Sequence, residues 1–295
     1  MNVGVAQTRV WVNGEPHAEE AAHLSSRDRG VTLADGVFET MRSRDGRIFR
    51  LERHLTRLDR ALRVLEIPAP AQLRDWVIGA ATEVGGGDGS EVAIRLTVTR
   101  GVGPQGLMPP SPPRPTVIVS AGPIPSFPSP IYTTGLHAHV ASGRRNEYSI
   151  TAGLKTLAYV ESVAALLEAR RAGADEALFL DTAGHCSEAA ASNLFAWLDT
   201  TLVTPPLSCA ALPGITREAV IELARMEGIA VAERPFGPDE LLAASESFLT
   251  SSLRGIAPLV RIGDRLIGRG VPGELTRRLG AAHLALIARE CGRRS

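Results

Sequence analysis

Lysine is almost absent from this chain of 295 residues. Lysine and arginine together number 32, and Lys155 is the single lysine, so 31 basic positions (32 − 1) hold arginine. The two residues are near substitutes for surface charge, but only an amine loses its proton readily and acts as an uncharged nucleophile. Lys155 is therefore a candidate for Schiff-base formation, although a codon bias against lysine would leave the same count.

Cysteine, net charge and long apolar runs are also scarce. Cys186, Cys209 and Cys291 are widely spaced without a CxxC pair, which argues against a disulfide framework or a zinc site and fits a reducing cytoplasm. The net charge is zero and no basic block occurs, so nothing favours a nucleic acid as partner. No apolar run approaches ~18 residues and no signal-peptide pattern is present, so we expect neither membrane insertion nor secretion.

The amino-terminal part reads as strands and hairpins with two helices. Apolar residues recur at helical spacing from Leu51 to Leu65 and again from Leu73 to Val84, and the segment 92–100 alternates as a strand does. The dipeptides Asn13-Gly14 and Asp45-Gly46 are typical of tight hairpin turns. This pattern predicts a small α+β domain over residues 1–122.

A proline-rich segment over residues 123–134 follows, and such dense prolines predict a stiff connector. Residues 135–295 alternate short strands with helices, which indicates a larger barrel-like domain. The predicted fold class is therefore α+β with an α/β barrel-like part, divided between two domains.

Lys155 lies in the stretch NEYSITAGLKTLAY, near the boundary of a predicted element. Leu154 and Leu157 flank it, and partial burial between such neighbours favours an uncharged amine that can condense with an aldehyde. A surface lysine that survived by chance is the alternative.

Three further segments could bind an anion. Pro213-Gly214 precedes a helix that opens at Ile215 and Thr216, and the free backbone N–H groups of such a start attract phosphate. The hydroxyls of Thr250, Ser251 and Ser252 cluster after a predicted strand, and Arg57 could chelate phosphate through its guanidinium fork. Each segment alone is more often an ordinary helix start, a polar turn or a surface arginine.

Glu188 stands among small residues in HCSEAAASNLF, just before a predicted strand. Carboxylates rarely enter such surroundings unpaired. A buried carboxylate facing a pyridine nitrogen would keep that nitrogen protonated, which turns the ring into an electron sink. An exposed glutamate in a turn after Gly184 is the alternative.

Taken together in this order, the segments resemble the class IV pyridoxal-phosphate enzymes, the fold type that includes D-amino-acid transaminase, branched-chain aminotransferase and 4-amino-4-deoxychorismate lyase. The resemblance spans nearly the whole chain. It rests on DRGVTLADGVFET, RHLTRL, GLKTLAY, GADEALFLDTAGHCSEAAASNLF, TPPL, LPGITR and FLTSSLRGIAPL.

The resemblance implies pyridoxal 5'-phosphate as cofactor, held between the two domains of a homodimer whose partner's small domain completes the substrate pocket. It makes Lys155 the imine-forming lysine and general base, and Glu188 the partner of the pyridine nitrogen. Tyr159 falls close to the position of a phenol near the ring hydroxyl in some members. The implied phosphate ligands are Arg57, the N–H groups of Ile215 and Thr216, and the Ser252 hydroxyl.

For the substrate, Arg95 is the candidate carboxylate anchor, and Phe38 is expected to line the pocket from the small domain. The Arg-x-His carboxylate trap of the D-amino-acid transaminases is missing, since Gln105 and Leu107 occupy the corresponding positions. An ordinary surface arginine and a core phenylalanine are the respective alternatives.

We therefore expect a transaminase that moves an amino group between an amino acid or (R)-amine and a 2-oxo acid. One alternative is 4-amino-4-deoxychorismate lyase, giving 4-aminobenzoate and pyruvate, because the stretch from Arg144 to Asn146 resembles that branch of the family. A second alternative is a dimeric binding protein without enzymatic activity. No catalytic metal is expected.

Overall fold

The computed structural model describes residues 8–87, 89–128 and 130–292. The chain separates into two compact units, each assembled from more than one segment. Unit 1 comprises Met1–Pro125, Leu154–Ala158 and Ile287–Ser295, and unit 2 comprises Ser126–Gly153 and Tyr159–Leu286. The division at residues 122, 123–134 and 135 stays a prediction.

Unit 1 contains a six-stranded antiparallel sheet with the order β2-β1-β6-β5-β3-β4. The turn between the first two strands uses left-handed backbone at Asn13 (φ 52°) and Gly14 (φ 87°), as the dipeptide predicted. The strands are β1 Arg9–Val12, β2 Glu15–Ala18, β3 Gly36–Arg44, β4 Arg47–Ile48, β5 Glu91–Thr99 and β6 Thr116–Pro123.

One face of this sheet is covered by two helices, α2 on β3 and α3 on β5 and β6. The leucine spacing noted above places Leu58 and Leu62 on the buried side of α2, and they pack with Met41 and Ile94 of the sheet. The helices of unit 1 are α1 Arg29–Leu33, α2 Leu51–Val64 and α3 Leu73–Gly85.

Unit 2 is built on a nine-stranded mixed sheet in which six strands close into a ring. The ring runs β10-β13-β14-β7-β8-β9, and the pairing of Asn193 with Glu188 joins β9 back to β10. Its strands are β7 Leu136–Arg145, β8 Glu176–Asp181, β9 Cys186–Ala189, β10 Asn193–Leu198, β11 Thr201–Thr204, β12 Ala230–Glu233, β13 Glu246–Ser251, β14 Gly255–Ile262 and β15 Arg265–Leu266.

The remaining helices follow the predicted apolar periods closely. The helices are α4 Pro130–Thr133, α5 Val160–Arg171, α6 Ile215–Met226, α7 Pro238–Leu242 and α8 Glu274–Cys291. Within the described part of the chain, no helix is both long and apolar enough to cross a membrane. The closed ring and the mixed helices and strands confirm the predicted α+β class with a barrel-like part.

Two elements that the sequence pattern did not predict bear on function. The short strand β9 is one, because its four residues follow a turn and carry no clear alternation. The first turn of α1 is the other, and it begins after Asp28, whose carboxylate accepts a hydrogen bond from the Gly30 N–H (2.8 Å).

Candidate active site

Lys155 belongs to unit 1 and is held against the start of β3. The Phe38 N–H donates to the Lys155 carbonyl (3.0 Å), and the Leu157 N–H donates to the Gly36 carbonyl (3.0 Å). Val37 and Thr156 lie opposite each other in this antiparallel bridge. The pairing fixes the backbone of a half-buried lysine as if it were an added strand.

The Phe38 ring contacts two cationic side chains. Lys155 Nζ lies 4.4 Å from the ring centroid, and the Arg95 Cζ lies 3.8 Å from it. Phe38 itself is buried, whereas Arg95 on β5 is exposed. Cations at such distances are attracted by the ring face, so the aromatic ring positions both groups. The structure thus brings three predicted residues together: Lys155, Phe38 and Arg95.

Arg57 projects from α2 toward Glu39 of β3. Its Nε donates to Glu39 Oε1 (2.8 Å) and its Nη2 donates to Oε2 (2.6 Å). His54, one turn earlier on α2, places Nδ1 2.7 Å from the same Oε2. The bidentate pair fixes the plane of the guanidinium group, which a single contact would leave free to rotate.

Electrostatics in this triad favour a charged Glu39 and a neutral His54. Burial alone would raise the pKa of the fully buried Glu39 carboxyl, but the hydrogen bonds from Arg57 and His54 outweigh it and lower that pKa to about 2. Burial lowers the pKa of His54 more than Glu39 raises it. The carboxylate only accepts, so His54 Nδ1 carries the donated proton.

Glu188 lies in unit 2, on strand β9 rather than in an exposed turn. The Leu212 N–H donates to Glu188 Oε2 (2.9 Å), and Arg145 Nε lies 3.3 Å from Oε1. The Glu188 side chain is only 13% exposed. Arg145 is in turn held by Ser162, whose Oγ accepts from Nη2 at 3.1 Å, and by the Phe179 ring, 4.1 Å from Cζ.

The start of α6 forms the second part of the arrangement in unit 2. Ile215 and Thr216 are buried, and as first-turn residues their N–H groups have no partner within the helix. Asn193 Nδ2 donates to the Leu212 carbonyl (2.8 Å), and a Cβ at Gly214 would overlap Asn193 Oδ1. The glycine therefore allows a close approach that brings Asn193 to the helix start.

Hydroxyl groups complete this region. Thr250 lies opposite Asn193 in the β10–β13 pair, and among the described residues its buried Oγ1 has no hydrogen-bond partner. Ser252 follows β13 directly and is half-buried. A buried hydroxyl that lacks a protein partner is costly unless a ligand or water satisfies it.

These features fit the implied cofactor by their chemistry. Free N–H groups at a helix start, a glycine that no larger residue could replace and an unsatisfied buried hydroxyl are suited to a phosphate monoester. A carboxylate oriented by a backbone N–H suits a protonated ring nitrogen. Each set of donors is assembled within its own unit.

Tyr159 precedes α5 directly, and its carbonyl accepts the Val163 N–H (3.0 Å) at the helix start. The residue is half-buried. These contacts fix the backbone of Tyr159 at the beginning of α5, and the role of its phenol near a ring hydroxyl stays a prediction.

Sequence reasoning missed several groups that position the predicted ones. Glu39 could have been found, because the alternation of GVFETMR puts an acid on a buried strand face, where a cation must accompany it. The pairing of His54 and Arg57 three residues apart on one helix face gave the complementary signal. The roles of Arg145, Asn193 and Thr250 depend on strand pairings far apart in sequence.

Comparison with known proteins identifies the family. The family described as Amino-transferase class IV matches residues 36–262 of this chain. The chain belongs to the class IV aminotransferase family. This class IV membership confirms the resemblance, and with it the expectation of an enzyme.

Three relatives of this class IV chain illustrate its range. A putative branched-chain-amino-acid aminotransferase of Methanocaldococcus jannaschii is 35% identical over 272 residues, covering 92% of this chain and 93% of the relative. The crystal structure of a branched-chain amino acid aminotransferase with pyridoxamine 5'-phosphate, from the source abbreviated T.th., matches with a TM-score of 0.88 at 29% identity, covering 97% of this chain and 96% of that one.

The third is the 4-amino-4-deoxychorismate lyase of Pseudomonas aeruginosa, 37% identical with a TM-score of 0.82, covering 92% of this chain and 97% of that one. The class IV family therefore includes both reaction types among the similar structures, and the fold is shared with both.

Proposed function

We propose that this class IV enzyme is a pyridoxal-phosphate-dependent transaminase that moves an amino group between an amino acid and a 2-oxo acid. The placement of Lys155 carries the proposal. The single lysine of the chain is half-buried, its backbone is paired with β3, and its Nζ lies 4.4 Å from the centroid of a buried aromatic ring.

Lys155 has two tasks in this proposal. Its Nζ holds the cofactor aldehyde before substrate arrives, and once displaced it accepts the proton that leaves the substrate α-carbon. Pyridoxal phosphate supplies the aldehyde and a ring that takes up the electrons left by that proton. The Phe38 ring restricts the amine to a small volume, which favours one direction of attack.

Glu188 serves the ring nitrogen of the same cofactor. The Leu212 N–H and Arg145 orient its carboxylate and keep it ionised, so that it holds a proton on the pyridine nitrogen. The N–H groups of Ile215 and Thr216, with the Ser252 hydroxyl, bind the phosphate. Arg57 is the proposed charged ligand of the same phosphate, and Glu39 sets the orientation of its guanidinium group.

Arg95 is the proposed anchor for the substrate carboxylate. It is exposed, its guanidinium lies against Phe38, and Phe38 also contacts Lys155, so a carboxylate bound at Arg95 would hold the attached α-carbon near the amine. Branched-chain amino acids are the first donors to test, because the Methanocaldococcus jannaschii relative and the pyridoxamine-bound crystal structure are both described as branched-chain aminotransferases.

Borohydride reduction followed by peptide mass mapping tests the attachment independently of turnover. We expect pyridoxyl phosphate on Lys155 in the natural protein and no such label in Lys155→Ala. Substrate choice is then tested by mixing the cofactor-loaded enzyme with a panel of amino acids and (R)-amines and measuring 2-oxo acid release together with pyridoxamine phosphate. A fully active Lys155→Ala variant would refute the assignment.

A second candidate is 4-amino-4-deoxychorismate lyase, favoured by the 37% identity to the Pseudomonas aeruginosa enzyme. The two functions differ in products. Incubation with 4-amino-4-deoxychorismate should leave the substrate intact if the protein is a transaminase, whereas formation of 4-aminobenzoate and pyruvate would establish the lyase.

We also propose that the protein works as a homodimer in a reducing cytoplasm. Large apolar side chains on one side of α5 support a second copy as partner, since Val160, Val163 and Leu167 are 75%, 53% and 50% exposed. The three cysteines are buried and unpaired, in keeping with a reducing compartment. Sedimentation equilibrium should give twice the chain mass, and a monomer would contradict the proposal.

A further inference from the structure

We propose that unit 2 carries a binding site for a zinc-class divalent cation, formed by Asp181, His185 and Cys209. One oxygen, one imidazole nitrogen and one sulfur of these residues all lie within 4.8 Å of one another. They are separate from the residues assigned above to cofactor and substrate. The inference stands on this cluster and does not depend on the proposed transaminase activity.

The three donors come from three different pieces of structure. Asp181 ends strand β8, His185 ends the turn that leads into β9, and Cys209 ends the short 3-10 turn Leu207–Cys209. His185 Nδ1 lies 3.1 Å from Asp181 Oδ2, and the His185 N–H donates to Asp181 Oδ1 (2.8 Å). Both oxygens of the carboxylate are thereby oriented before any cation arrives.

Burial distinguishes the cluster from a chance surface grouping. Asp181 is 3% exposed and Cys209 is 2% exposed, whereas the His185 side chain is 43% exposed. The thiol hydrogen-bonds to the Asp181 carboxylate. A cation would thus meet two buried donors from one side, and solvent at the histidine supplies a route of entry and a water as fourth ligand.

Charge also favours a cation here. Among the described residues, the one basic group paired with Asp181 is the His185 imidazole. A second carboxylate, Glu147, accepts the Thr182 N–H (3.1 Å) and the Thr182 hydroxyl (2.5 Å) on the same turn. The negative potential of two carboxylates therefore surrounds a thiol that arginine does not balance.

The donor types select the cation. A thiolate and an imidazole suit zinc or cobalt, while magnesium and calcium prefer oxygen ligands alone. Zinc bonds of about 2.0–2.3 Å put tetrahedral donors roughly 3.5 Å apart, so a small inward shift of the sulfur completes the geometry. On binding, the thiol proton passes to solvent.

Such a cation would tie the 3-10 turn to the β8–β9 hairpin. Cys209 is followed closely by Leu212, whose N–H orients Glu188 on β9. Binding should therefore stiffen the support of the Glu188 carboxylate without touching it. The sequence pattern argued against a zinc site because no CxxC pair is present, but these ligands meet only in the folded chain.

Metal titration of the purified full chain tests the proposal. We expect one zinc ion per chain by competition with a chromogenic chelator, and visible d–d bands of tetrahedral cobalt when cobalt replaces zinc. Cys209→Ser and His185→Asn should each weaken binding by about tenfold or more. Cys291→Ser and His23→Asn are the matched controls, a buried cysteine and an exposed histidine outside the cluster, and should bind as the natural chain does.

X-ray absorption at the zinc edge decides the case even if a variant fails to fold. The natural chain should show one sulfur neighbour at about 2.3 Å with nitrogen and oxygen neighbours at about 2.0–2.2 Å. Absence of saturable zinc binding, binding that Cys209→Ser leaves intact, or a zinc spectrum without sulfur would overturn the proposal. None of these outcomes alters the borohydride test of Lys155.

Discussion

Glu39 and Arg57 form a bidentate ion pair in the interior of unit 1, with contacts of 2.8 Å and 2.6 Å. The carboxylate side chain is fully buried and that of the arginine is 9% exposed. Since the guanidinium group is a predicted phosphate ligand, the position of that ligand depends on an acid 18 residues away on a different element.

Replacing Glu39 with Gln should both destabilise the fold and weaken cofactor binding. The amide keeps the shape but leaves a buried cation without its counter-charge, which costs roughly 3–5 kcal/mol of unfolding free energy. Urea unfolding and dialysis against pyridoxal phosphate measure the two effects. Glu91→Gln is the control, because the Arg42–Glu91 pair (3.0 Å) on the same sheet is partly exposed and should change stability by less than about 1 kcal/mol. Equal effects of the two variants would contradict the special role of Glu39.

The same triad predicts how stability depends on pH. The pKa of Glu39 is lowered from 4.5 to about 2 in the folded chain. Below pH 4.5 the unfolded chain therefore takes up a proton that the folded chain refuses, so stability falls as pH drops from 4.5 toward 2. The lowered pKa of His54 acts in the same direction, beginning below its ordinary value of 6.5.

Unfolding free energies at pH 7, 5 and 3 would show this as a steeper loss in the natural chain than in Glu39→Gln. Parallel pH profiles for the two proteins would refute the assignment of a charged, buried Glu39.

Gly214→Ala should damage the helix start that is predicted to bind phosphate. A Cβ at this position would overlap Asn193 Oδ1, and relieving such overpacking typically costs about 1–3 kcal/mol. Cofactor affinity should fall together with the melting temperature. Gly237→Ala is a matched control, since Gly237 also caps a helix start but a Cβ there meets nothing within 4 Å. A Gly214→Ala protein with unchanged affinity would show that Asn193 has room to move.

Glu188→Gln should separate cofactor attachment from turnover. The amide can still accept the Leu212 N–H, but it cannot hold a proton on the pyridine nitrogen by charge. A hydrogen bond to a charged group is worth about 1.5–3 kcal/mol, so kcat should fall by roughly tenfold to a hundredfold. Borohydride labelling of Lys155 should persist. Full turnover in this variant would indicate that Glu188 is structural.

Arg95→Ala should raise KM for amino acids and 2-oxo acids more than it lowers kcat. The guanidinium is proposed to bind the substrate carboxylate, and loss of such a contact costs roughly 1.5–3 kcal/mol. Amines that lack a carboxylate should be affected little. Arg63→Ala, at an exposed arginine paired with Asp59 on α2, serves as control. Equal losses for both substrate classes would assign Arg95 to packing against Phe38 rather than to recognition.

Local patterns in the sequence were sufficient for most elements. The leucines of α2, the alternation of β5 and the Asn13-Gly14 turn depend on residues a few positions apart, because helix and strand geometry repeats over that distance. For the same reason Ile215 and Thr216 could be assigned to a helix start before the structure was considered. The single lysine was evident from composition alone.

Tertiary structure decided what those residues touch. The pairing of Lys155 with the start of β3, the contact of Arg57 with Glu39 and the meeting of Asn193 with Gly214 all join segments whose separation has no local periodicity. Strand register and closure of the six-stranded ring fix them, and both depend on the summed burial of distant side chains rather than on any short pattern. The identity of the reactive groups was thus written locally, while their partners were set by the packing of the whole chain.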